Sequence, residues 1–167
     1  RTVIGGQEHF YLESQVALAI PGEDDEMLIH CSTQHPTEIQ VMVGQVLGVP
    51  HAAITVNMRR MGGGFGGKET QGNLFAAVAA LAARKTGRAV KLRPDRDDDF
   101  MITGKRHDFM VEYEVGFNSD GRIQAVDATF AARSGYSADL SGPVTDRALF
   151  HADNAYWYPA ARFVSKP

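Results

Sequence analysis

Apolar positions fall into short blocks whose spacing changes along the chain. Residues 10–20 alternate loosely and carry Phe10, Tyr11, Leu12, Val16, Leu18 and Ile20, a strand-forming mixture. Pro21-Gly22 and the acidic run 23–26 predict a solvated turn, and residues 27–31 a returning strand, so the two form a hairpin. Ile39, Val43, Val46 and Leu47 then recur at helical spacing. Pro36 suits a first helical position, and Gly48 with Pro50 halts the pattern, which predicts a helix over 36–47. Residues 54–58 are a short β-rich run. Residues 69–85 are rich in Ala and Leu with Gly87 just beyond them, a second helix. A further strand is predicted at 89–92. Strands at 109–117 and 122–130 flank Asn118-Ser119-Asp120-Gly121, whose Asp-Gly step favours a tight hairpin. Residues 139–151 read as a helix with Pro143 near its start, and the tail from Tyr156 as irregular. The order ββαβαβ followed by ββα predicts an α+β fold, a mixed or antiparallel sheet with helices packed on one face. No repeat, low-complexity linker or composition break divides the chain, so residues 1–167 are read as a single domain.

Composition narrows the function classes. Apolar residues are 44% and charged residues 22% of the 167, close to the globular average, which excludes wholesale disorder. The net charge of −3 gives no electrostatic case for nucleic acid or an anionic membrane surface. Cys31 is the sole cysteine, so neither an internal disulfide nor a paired-cysteine metal knuckle can form, and a buried inert thiol is expected. The longest apolar run, 74–83, is too short to span a bilayer, and a cytoplasmic location is expected. The first residue is Arg1, and the chain is read as a piece of a longer protein. The histidines at 9, 30, 35, 51, 107 and 151 show no ligand spacing for zinc. The run Asp95 to Asp99 is not a calcium loop, because Phe100 and Arg106 stand where glycine and glutamate are needed. It reads as a solvated loop or as caps and ion pairs. Glu8 and Glu13 are read as structural, pairing across a sheet. Tyr156, Trp157 and Tyr158 form an aromatic surface suited to an interface with the rest of a larger subunit.

The most unusual segment is Met61-Gly62-Gly63-Gly64-Phe65-Gly66-Gly67-Lys68-Glu69, where five of 17 glycines occupy six positions. Such backbone lets a ligand approach with no Cβ in the way, between a predicted strand and a predicted helix start. Gly62, Gly64 and Gly67 match a dinucleotide fingerprint, but the next acid suited to a ribose, Asp95, lies too far along. The segment also nearly matches a phosphate-binding loop, except that Glu69 stands where Ser or Thr would hold magnesium. A carboxylate there repels a triphosphate and favours a ligand that donates a hydrogen bond.

Three stretches in this order resemble the xanthine dehydrogenase and aldehyde oxidase family. They are Gly5-Gly6-Gln7-Glu8-His9-Phe10-Tyr11-Leu12-Glu13, Ser32-Thr33-Gln34 and the Met61–Glu69 loop. Asp95 to Asp99, Thr103 to His107 and Arg147 to Phe150 fit as well, so the likeness covers nearly the whole chain. The resemblance implies the N-terminal half of a molybdenum-cofactor-binding region with that family's fold. It implies a purine hydroxylase that takes hypoxanthine and xanthine to urate with oxygen from water. Electrons would pass from molybdenum–molybdopterin through [2Fe-2S] clusters and FAD, on other domains or subunits, to NAD. By the same resemblance, Gln34 hydrogen-bonds the apical oxo group, and Gly64, Phe65 and Gly66 lay their backbone against the metal centre. No side chain ligates the metal directly. Glu69 contacts the purine edge, where aldehyde oxidases carry an apolar residue, so a purine is favoured over an aldehyde. The family's substrate-clamping arginine, base glutamate and second stacking phenylalanine have no counterpart in this sequence, so turnover is not expected of these residues alone. The alternatives are an aldehyde or other N-heterocycle hydroxylase of the same family, or a non-catalytic dinucleotide-binding or assembly domain.

Overall fold

The computed structural model describes all 167 residues. In chain order the elements are β1 (Thr2–Ile4), β2 (Ala17–Pro21), β3 (Met27–Cys31), α1 (Pro36–Leu47), a short 3-10 turn (His51–Ala53), β4 (Ile54–Asn57), α2 (Gly72–Thr86), β5 (Val90–Leu92), α3 (Arg96–Ile102), β6 (Phe109–Phe117), β7 (Ile123–Ala132), α4 (Ser141–Phe150) and β8 (Ala160–Lys166). They divide into two units, Glu8–Lys105 and a discontinuous one made of Arg1–Gln7 with Arg106–Pro167.

In Glu8–Lys105 the sheet order is β4-β3-β2-β5. β2 and β3 form the antiparallel hairpin, with Ala17 opposite Cys31 and Pro21 opposite Met27. Strand β4 adds parallel to β3, with α1 as the crossover that parallel pairing requires. Period-two alternation puts Ala17, Ala19, Met27, Ile29 and Cys31 inside. Onto them pack Ile39 and Val43 of α1 and Phe75, Ala76, Ala79, Ala80 and Ala83 of α2. The small alanines on α2 let the helix approach the sheet closely. Helix α1 starts at Pro36 and stops at Gly48, whose φ of 68° is the left-handed cap that glycine adopts without strain. Asn73 Nδ2 donates to Glu38 Oε1 at 2.9 Å, tying the start of α2 to α1.

Helix α3 falls in the acidic run that the sequence reads as loop and caps. Asp95 is its N-cap, accepting from the Asp98 amide at 2.9 Å, and the acids that follow sit favourably in its first turn. Asp99 is fully buried.

The other unit has the sheet order β1-β6-β7-β8. β6 and β7 form the long hairpin around Asp120-Gly121, and α4 carries the chain over to β8, which runs parallel to β7. Phe163 of β8 meets Phe130 of β7 and Tyr158 edge-on. Tyr113, Val115 and Phe117 on β6, and Tyr156 and Trp157 before β8, remain exposed.

The α+β class holds, with two mixed four-stranded sheets in place of the one expected. Besides helix α3, four details differ from the sequence reading. The strand expected at 10–20 is confined to Ala17–Pro21, because Tyr11, Glu13 and Gln15 turn toward the glycine loop instead of a neighbouring strand. Helix α2 begins at Gly72, after a turn closed by the Asn73 amide on Thr70 O at 3.0 Å. β1 is three residues long and gives no periodicity to read. The tail, read as irregular, supplies β8, whose Ala160, Ala161 and Ser165 lack a strand signature until β7 offers a partner. No helix is long and apolar enough to cross a membrane.

Candidate functional site

The glycine loop lies in Glu8–Lys105, between the end of β4 and the start of α2. Gln34 follows β3 and reaches into it. Its Oε1 accepts the backbone N–H of Gly66 at 3.0 Å and that of Lys68 at 3.2 Å, while the Gln34 backbone N–H donates to Lys68 O at 2.8 Å. Thr33 Oγ1 donates to the same carbonyl at 3.2 Å. Two backbone donors on one amide oxygen fix which end of the Gln34 side chain is oxygen. Its Nε2 donors are left for a ligand.

Gly64 is the position that allows this. A Cβ there would lie 2.5 Å from Gln34 Oε1, closer than any real contact. Gly66 differs. Its φ is +89°, and a Cβ would meet nothing nearer than Glu69 Oε1 at 3.8 Å and His9 Nε2 at 3.9 Å. The Gly66 backbone therefore presents an open face flanked by the Glu69 carboxylate, while its amide rests on Gln34. Phe65, between them, adopts a left-handed φ of 54° and is 72% exposed. The structure thus brings Gln34, Gly64, Phe65, Gly66 and Glu69 to one place.

Behind the loop lies a buried polar layer that sequence reasoning did not find as a unit. Lys68 is 0% exposed. Its Nζ lies 3.1 Å from Glu13 Oε2, 2.8 Å from Ser32 Oγ and 4.7 Å from the Tyr11 ring centroid. Glu13 Oε2 also accepts from Ser32 Oγ and from the Gly62 amide at 2.9 Å, and the Glu13 amide donates to Gly62 O at 3.2 Å. Burial pushes the Lys68 ammonium below its ordinary value, against the pull of Glu13. Burial pushes Glu13 up, but hydrogen bonds from Ser32, Gly62 and Lys68 outweigh it and leave the carboxyl below its ordinary value.

A second arm runs from Asp99. Its carboxylate accepts Tyr11 Oη and the Gln15 amide, each at 2.7 Å, and Thr103 Oγ1 at 3.2 Å. Gln15 Nε2 donates to Tyr11 Oη at 3.1 Å and to Gly67 O at 3.0 Å. Tyr11, Glu13 and Gln15, spaced by two, thus hold both ends of the loop. That spacing is the signal in the sequence. It reads as a strand because alternation alone does not say what the inward residues face. Glu13 is structural as expected, but it pairs beneath the loop and not across a sheet. Glu8 pairs with Lys105 at 2.9 Å.

Cys31 is buried beneath α2, and burial pushes its thiol up to about 12, an unreactive state. No group of three or more His, Cys, Asp or Glu could hold a metal ion through side chains.

In this α+β fold the glycine loop is clamped by Gln34 and presents open backbone at Gly66. Residues 1–167 match the molybdopterin cofactor-binding domain model, and the chain belongs to that family. It is 50% identical over 157 residues to xanthine dehydrogenase/oxidase of Gallus gallus, covering 93% of this chain and 12% of that protein. It is 48% identical over 157 residues to xanthine dehydrogenase of Emericella nidulans, with the same coverage. The chain spans about 12% of the length of these curated relatives. Among solved structures it resembles the aldehyde oxidoreductase of Desulfovibrio gigas, with a TM-score of 0.80 and 26% identity over 98% of this chain and 18% of that one.

Proposed function

We propose that this chain is the N-terminal half of the molybdenum-cofactor-binding region of a purine hydroxylase of the xanthine dehydrogenase type. The observation that carries the reading is the arrangement around Gly66. Gln34 is committed through its oxygen and uncommitted through its nitrogen, and Glu69 flanks the open backbone face. These residues fit a ligand that brings a hydrogen-bond acceptor to Gln34 and approaches the Gly64–Gly66 backbone closely. The likeness to xanthine dehydrogenases at about half identity supports the purine over the aldehyde.

When bound, the molybdenum cofactor supplies the two-electron chemistry that hydroxylates a C–H carbon with oxygen from water. Gln34 Nε2 would donate a hydrogen bond to an oxygen acceptor of that group without changing protonation state. Gly64 lets the loop backbone pack directly against the Gln34 side chain, which holds it in place. Glu69 accepts N–H donors on the edge of a purine and so fixes which ring carbon faces the reacting centre. A substrate lacking those donors leaves the carboxylate unpaired and is rejected. Iron–sulfur and FAD centres, and the groups that clamp and deprotonate, would lie in the parts of the protein outside these residues, with NAD as the final acceptor.

The test is Glu69→Ala in the complete enzyme. Xanthine kcat/KM should fall by about 100-fold or more with molybdenum content unchanged. Unaltered xanthine turnover would overturn the reading. Raised aldehyde turnover at the same time would support the carboxylate as the selector.

A further inference from the structure

Lys68 joins the glycine loop to the layer beneath it at three points. Its amide holds Gln34 Oε1, its carbonyl receives the amide of Gln34 and the hydroxyl of Thr33, and its Nζ reaches Glu13 and Ser32. Glu13 in turn takes the Gly62 amide at the other end of the loop. A fully buried lysine is costly to keep, and an apolar residue of similar length would fill the same volume. The ammonium therefore does something packing does not. It ties the Lys68 side of the loop to the same carboxylate that takes the Gly62 amide.

We propose that Lys68 and Glu13 are positioning residues. Their ion pair, buried on the Lys68 side and partly open at Glu13, sets the distance between the Gln34 side-chain amide and the Glu69 carboxylate across Gly66, and neither touches cofactor or substrate. The proposal rests on the functional reading above for what Gln34 and Glu69 hold. The loop's span itself does not depend on that reading.

Two variants of the complete enzyme, Lys68→Met and the milder Glu13→Gln, test it with three readouts. Amide hydrogen exchange in a peptide covering residues 62–69 should quicken by about tenfold or more, as a local opening becomes easier. Xanthine kcat should fall by about 10- to 100-fold, the effect of a misplacement near 1 Å, with KM changing less. The paramagnetic spectrum of partly reduced molybdenum should shift, because Gln34 would no longer sit at the same place beside the metal's ligands. If both variants fold and retain native exchange, kcat and spectrum, the proposal is overturned. A drop in thermal stability alone, with those three unchanged in Glu13→Gln, would also overturn it. Glu69→Ala run alongside separates the two failures. If it abolishes turnover while Lys68→Met and Glu13→Gln do nothing, only the positioning role falls. If it too is silent while exchange quickens in Lys68→Met, the functional reading falls and the structural role of the pair stands.

Discussion

The hydroxyl of Tyr11 donates to Oδ1 of Asp99 at 2.7 Å, joining two residues 88 positions apart that are both buried. Asp99 comes from α3 and Tyr11 from the segment beneath the glycine loop. Burial and the Asp99 carboxylate together push the Tyr11 hydroxyl above its ordinary value, so it stays a donor at any working pH. Replacing Tyr11 with Phe removes that donor and leaves Asp99 short of one partner. Tyr11→Phe should cost about 1.5–3 kcal/mol in urea denaturation, the range for a hydrogen bond to a charged group. A cost near zero would mean that water replaces the hydroxyl.

Gly64→Ala is expected to be severe for function. Its Cβ would stand 2.5 Å from Gln34 Oε1, so Gln34 must leave the Gly66 and Lys68 amides or the loop must move. Turnover by the complete enzyme should drop by about 100-fold. Gly116→Ala, on β6 with nothing within 4 Å of its added Cβ, should change turnover little. Equal losses in the two would show that the clash argument is wrong.

Stability should depend on pH through the Glu13–Lys68 pair, with a fixed sign. Glu13 sits below its unfolded value, so the stability it contributes is present above that value and is lost as pH falls through the folded one. Lys68 also sits below its unfolded value, so the unfolded chain binds more protons in the alkaline range between them and stability rises with pH there. Both slopes are positive, in separate windows. Denaturation midpoints measured against pH for native and Glu13→Gln chains should show the acid loss flattened in the variant. Parallel profiles would rule out Glu13 as its source.

Cys31 should resist thiol reagents in the native protein at pH 8 and react on unfolding. Its thiol is buried and pushed up to about 12, so almost no thiolate exists to attack. Labelling before unfolding would indicate that α2 lifts from the sheet far more readily than its alanine face implies.

Elements with their own periodicity or stop signals were legible in the sequence. Helix α1 lies where Pro36, Ile39, Val43 and Gly48 place it, and the β6–β7 hairpin turns at Asp120-Gly121. What the sequence hid was whatever depends on a distant partner. β8 has no signature until β7 lies alongside it. Helix α3 is written in acids, which look solvated until Asp99 is seen accepting Tyr11, Gln15 and Thr103 from within. The same holds around Gly66. Gln34 and Glu69 were named by resemblance, whereas Lys68 entered only within the glycine motif and its near match to a phosphate-binding loop. Only its complete burial shows otherwise.

The clamp on Gln34 makes the loop choosy about polarity before size matters. With its carbonyl filled from behind by two main-chain hydrogens, the side chain cannot flip to present a lone pair outward. Whatever settles beside it must bring electron density of its own. Ammonium groups and other pure donors are turned away at that wall, while the carboxylate across Gly66 makes the opposite demand. A visitor meeting both must be rich in lone pairs at one end and in N–H at the other.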